Sequence, residues 1–121
     1  MQLHYLDFDF SDEDSGRGSF DAMASVAPQR LPALLAEVAA VLRWATAAFG
    51  PAGALQDEGE WDYALQGTAE PGTPLDAAWD ADSGQVVLVP APGARRTTLT
   101  LTLGGSPAFC GALRERFGIP G

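Results

Sequence analysis

The sequence predicts an α+β domain: an antiparallel sheet of about six strands, one long helix packed on a face, and a short C-terminal helix. Three observations predict it. Apolar residues recur at helical spacing over residues 31–49, between Pro32 and Gly50. Several other stretches alternate with a period of two between clusters of Gly, Pro, Asp and Ser. Most of these stretches follow one another closely, as the strands of hairpins and a meander do, which implies an antiparallel sheet. The expected order is β-β-α-β-β-β-β-α in one domain, 1–121, with no internal repeat. Two smaller sheets around a common helix are the second arrangement the pattern allows.

Residues 3–10 alternate, with His4, Leu6, Phe8 and Phe10 on one side and Leu3, Tyr5, Asp7 and Asp9 on the other. That is the pattern of a half-buried strand. Ser11 to Gly18 reads as a long acidic loop. Phe20, Ala22, Ala24 and Val26 then alternate with Asp21, Met23 and Ser25, so the two segments form a hairpin whose apolar faces match at even register. Pro28 ends the second strand. Pro32 suits the first turn of a helix, where its missing N–H costs nothing. Leu31, Leu34, Leu35, Val38, Leu42, Ala45 and Phe49 supply the apolar stripe, with Leu34, Leu35, Val38 and Leu42 at its centre, and Gly50-Pro51-Ala52-Gly53 stops it. A loop containing Asp57, Glu58 and Glu60 leads to a strand carrying Trp61, Tyr63 and Leu65. Residues 68–74 read as a loop. Leu75, Ala77 and Trp79 mark the next strand, Asp82-Ser83-Gly84 a turn, and 86–89 a short apolar strand. Thr98, Thr100 and Thr102 alternate with Leu99, Leu101 and Leu103, the cleanest period of two in the chain. Ser106-Pro107 reads as an N-cap and first-turn proline, with Phe109, Leu113 and Phe117 inward and Gly118 as the stop.

A chain of 121 residues, 46% hydrophobic, can bury a core without disulfide or metal. Its net charge of −9 disfavours nucleic acid, whose binding draws on neutralised phosphates, and anionic membrane surfaces. A basic protein or peptide would be attracted. All seven basic residues are arginines. Cys110 is the only cysteine and His4 the only histidine, so neither an intrachain disulfide nor a cysteine metal cluster can form. Residues 31–49 are long enough to raise the membrane question, but Glu37 and Arg43 interrupt them and no positive flank orients them. The first residues lack the basic and apolar regions of a secretory signal. The expected compartment is the cytoplasm.

The carboxylates Asp7, Asp9, Asp21, Asp62, Asp76 and Asp80 occupy strand faces opposite the apolar ones. If Phe10 pairs with Phe20, Asp9 lies across from Asp21; if Phe8 does, Asp7 takes its place. Like charges across a ladder repel, so Arg17, a cation or a basic partner should compensate. Residues 7–12 begin like a calcium loop but lack the glycine at its sixth position, and no metal or cofactor is expected. Gly104-Gly105-Ser106-Pro107 lacks the lysine and the longer pattern of a phosphate loop and reads as a helix cap. Cys110 would need His4 as its base, and no Gly-x-Ser-x-Gly elbow exists, so no catalytic residue is assigned. Trp61, Tyr63 and Trp79 could line a pocket between sheet and helix. The charge-poor back of the helix, with Ala36, Ala40 and Ala47, suits the interface of a homodimer. The expectation is a non-enzymatic domain that binds a basic protein or peptide through Asp7, Asp9 and Asp21. The alternative is a small-molecule-binding or enzymatic domain using the aromatic pocket.

Overall fold

The three leucines that alternate with threonines belong to the strand on which the sheet is built. The computed structural model, which describes residues 3–53 and 60–119, places that strand inside the sheet, with neighbours on both sides. The chain runs β1 (Asp9–Asp12), β2 (Gly18–Val26), a 3₁₀ turn (Pro28–Arg30), α1 (Leu31–Phe49), β3 (Trp61–Ala69), β4 (Thr73–Asp80), β5 (Gln85–Val89), β6 (Thr97–Gly105) and α2 (Pro107–Phe117). The spatial order is β1-β2-β6-β3-β4-β5, and every neighbouring pair is antiparallel. This is the α+β architecture and the element order that the sequence predicts.

Period-two patterning makes one sheet face apolar, and both helices pack against it. Phe20, Trp61, Leu99, Leu101 and Leu103 on the sheet are fully buried with Leu34, Val38, Val41 and Leu42 of α1 and Phe109 and Leu113 of α2. Each such side chain contributes about 1.5–3 kcal/mol by leaving water. Leu35, expected in the core, is only half-buried, because the inward stripe of α1 is turned toward Glu37 and Val41. Trp61 fastens the end of α1 to β3: its Nε1–H donates to the Gly50 carbonyl (2.9 Å), and its ring stacks on Phe109 with centroids 5.7 Å apart. A Cβ on Gly105, the residue across from Trp61, would overlap the Phe109 ring, so this position requires glycine. Ser106 caps α2 by accepting the Phe109 N–H (3.2 Å), and Gly118 ends it in the left-handed conformation at φ 64°.

Three boundaries differ from the sequence reading. The first strand begins at Asp9, not at Leu3. The carboxylate of Glu37 accepts the backbone N–H groups of His4 (2.9 Å), Tyr5 (3.0 Å) and Leu6 (2.8 Å), so this segment is tied to α1 and not to a strand. His4 is consequently exposed, whereas Leu6 and Phe8 still reach the core. The acidic loop is shorter than expected, since Ser11 and Asp12 pair with Ser19 and Gly18. Residues 68–74 are mostly strand: β3 runs on to Ala69 and β4 starts at Thr73 around a tight turn. The loop expected around Asp57 and Glu58 lies outside the described residues.

Candidate functional site

The hairpin of β3 and β4 is paired only at its turn. Ladder partners are Ala69–Thr73, Thr68–Pro74 and Gly67–Leu75, and there the pairing ends. Beyond it, residues 61–66 of β3 pair with β6 alone and residues 76–80 of β4 with β5 alone. The two strands therefore splay into an open slot. Its inner part, about 620 Å³, is walled by Tyr63 and Leu65 of β3 and by Ala77 and Trp79 of β4. Thr46, Pro51 and Ala52, around the end of α1, close one end. A second hollow of about 350 Å³ continues to the closed end at Gly67 and Leu75. Tyr63, Leu65, Ala77 and Trp79 are inward-facing yet only half-buried, because neither helix covers them.

Of the three aromatics singled out from the sequence, Tyr63 and Trp79 line this slot. Trp61 lies beneath it, fully buried, with Tyr63 stacked on it at 5.9 Å. Asp62 bends over the free edge of β3, where its Oδ1 accepts the Tyr63 N–H (2.8 Å). Burial, helped by the Asp62 charge, pushes the Tyr63 phenol above its ordinary range. Asp80 is held below the usual carboxylate range by hydrogen bonds from the Ser83 hydroxyl and from the Asp82 and Ser83 backbone, so it is charged at neutral pH.

The outer face of the sheet carries the acidic residues and no helix. In the register observed, Phe10 pairs with Phe20, which sets Asp9 directly across from Asp21. Both are exposed, as is Asp7, which precedes β1. Among the described residues neither Asp9 nor Asp21 is paired with an arginine; Asp21 instead accepts the Thr102 hydroxyl (2.8 Å) from β6. Arg17 turns elsewhere, with its Nη1 buried and without a hydrogen-bond partner among the described residues. Asp62, Asp76 and Asp80 extend the same face toward the slot. Among the described residues, Met23, Val87 and Val89 are the large apolar side chains exposed on it.

The remaining candidates take separate places. Ala36 and Ala47 are exposed on the back of α1 and Ala40 is half-buried. Cys110 is buried, and its thiol lies 3.6 Å from the Gly105 carbonyl, to which it donates. Burial raises its pKa, against smaller opposing effects of the Gly18 backbone and Arg114. Among the described residues no group of three or more His, Cys, Asp or Glu side chains is placed to hold a metal ion. No family model, curated protein or solved structure matches the chain.

Leu65, Ala77 and Glu37 are the residues that sequence reasoning passed over. Nothing in the pattern of β3 or β4 marks where their pairing stops. Glu37 did carry a signal, since a lone carboxylate three residues after Leu34 stands on the inward face of α1.

Proposed function

We propose that this chain is a non-enzymatic, cytoplasmic docking domain that binds a basic protein or peptide through its carboxylate-bearing sheet face. The observation that carries the reading is the opposition of Asp9 and Asp21 across the first ladder, with neither carboxylate in an ion pair among the described residues. Like charges so placed destabilise a hairpin by some tenths of a kcal/mol, and a basic side chain from a partner would turn that repulsion into attraction. The uncovered face and the net charge of −9 support it. Asp9 and Asp21 stand at one end of the surface and Asp62, Asp76 and Asp80 at the other, while Asp7, exposed just before β1, lies beside Phe117, Gly118 and Ile119 at the end of α2.

The test is titration with an arginine-rich peptide at several salt concentrations. Asp9→Asn with Asp21→Asn should weaken binding and flatten its salt dependence while leaving the fold intact. Binding equal to that of the unaltered protein at every salt concentration would remove these residues from the site. A second reading is favoured by the slot itself, whose volume and aromatic walls fall within the range of small-molecule sites. A neutral aromatic ligand that binds independently of salt and quenches Trp79 would establish that reading instead.

A further inference from the structure

We propose that the slot between β3 and β4 is a strand-insertion site: it receives an extended polypeptide segment, alternately apolar and basic, that pairs with the free edge of β3. This rests on the basic-partner reading above and specifies how such a partner is held.

The backbone phase decides which groups are available. Residues of an antiparallel strand send N–H and C=O alternately to either side. The Glu60 carbonyl accepts the Ser106 N–H, at the β6 side. The odd-numbered residues of β3 therefore face the slot, as do Gly67 and Ala69, which pair with β4. Two of these groups already have substitutes for a strand: the Trp61 carbonyl accepts the Gly53 N–H (3.0 Å), and the Tyr63 N–H is held by the Asp62 side chain (2.8 Å). The Tyr63 carbonyl and both backbone groups of Leu65 face the slot between them and the closed end. Across it, the Asp80 carbonyl is taken by Gly84 on the β5 side, so Ala77 and Trp79 turn their backbone groups to the slot as well. A ligand without a backbone matches two facing rows of peptide groups poorly; an extended chain matches them at every second residue.

Side chains fix the chemistry of that chain. Facing inward are Tyr63, Leu65, Ala77 and Trp79, which favour apolar residues at alternate positions. On the outward rim stand Asp62, Asp76 and Asp80, which favour basic residues at the positions between. Arg95 is at the closed end, where it donates to Thr73 Oγ1 (3.3 Å) and the Pro92 carbonyl (3.0 Å). The stretch of β3 between the Gly53–Trp61 bond and the closed end, residues 63–66, is about 13 Å long at roughly 3.3 Å per residue, enough for a short segment of about four residues to pair.

The experiment uses the full chain and two heptapeptides of alternating arginine and valine. One has free amides; the other is N-methylated at every second amide, which keeps the charge and removes main-chain donors. The free peptide should bind at least about ten-fold tighter, and the Leu65 amide should exchange with solvent at least about ten-fold more slowly in its complex. Ala77→Trp, which fills the slot, should abolish the difference between the peptides; Asp76→Asn, an exposed change that leaves the core untouched, should weaken both peptides alike. Equal binding of both peptides, lost with salt, would overturn strand insertion and leave the acidic-face reading standing. No binding of either at low salt would overturn both. A dimer whose dissociation accelerates Leu65 exchange would identify the occupant as a second copy of the chain and overturn the foreign segment.

Discussion

Glu37 ties the N-terminal segment to α1. Its carboxylate is sealed in α1 with three backbone donors and no arginine. Hydrogen bonds to a charged acceptor contribute about 1.5–3 kcal/mol each, and a buried group left unpaired costs about 1–3 kcal/mol. Glu37→Gln keeps one acceptor oxygen and turns an amide nitrogen toward backbone N–H groups. It should lower stability by about 3 kcal/mol in urea titrations, whereas Glu115→Gln, exposed on α2, should change it by less than about 0.5 kcal/mol. Equal midpoints for the two variants would contradict the clamp. Cys110 gives a second residue-scale expectation. Its thiol is harder to ionise in the folded protein than in the unfolded chain, whose ordinary value is about 8.5. As pH rises past that value the unfolded state loses a proton that the folded state keeps, so stability falls with pH on the alkaline side. Cys110→Ala should flatten that limb in melts between about pH 8 and 10. At this scale the sequence was legible in kind: one carboxylate on an apolar helix face and one thiol near a helix start were both visible. Their partners were not, because the Glu37 bonds join residues more than thirty apart in the chain.

At the scale of elements, hydrophobic period decides most of what forms. The helix over 31–49 and the α2 caps at Ser106 and Gly118 follow from local chemistry alone, and the structure has them where the sequence places them. The Phe10–Phe20 register follows from matching apolar faces, though the sequence left a second register open. The splaying of β3 from β4 was not legible, since both strands keep the alternation of a continuous sheet. Three ladder pairs hold β4 and β5 in the single six-stranded sheet, together with the packing of α1 on β5, so the two-sheet alternative does not form. Hydrogen exchange should show these two strands losing protection before β2 and β6 do, as an element held by fewer bonds opens at lower free energy. Gly105 tests the central strand. Gly105→Ala would press a methyl group into Phe109 and should cost about 1–3 kcal/mol, the usual range for overpacking, whereas the same change at Gly111, with open space around it, should not destabilise. Thermal melts of the two variants compare them directly.

Across the whole molecule, one sheet face carries both helices and the other is bare, and the acidic strand residues lie on the bare one. A homodimer through the back of α1 would leave the bare face free. Ala40→Glu would then place a charge in the contact and shift sedimentation toward the monomer; a monomer across the micromolar range before any substitution would exclude this assembly. The order of strands has a consequence for how the chain is made. β6 lies between β2 and β3 and is the last of the six strands in sequence. Until residues 97–105 have left the ribosome, the β1–β2 hairpin and the β3–β5 portion share no ladder, and the apolar faces of both wait for the same three leucines. The strand that joins the two portions is thus the last of the six to be made. A nascent chain halted before β6 would hold a helix, a hairpin and a three-stranded portion with no ladder between them, so the cooperative step waits for β6, and any factor guarding the exposed strands must stay bound until residues 97–105 emerge.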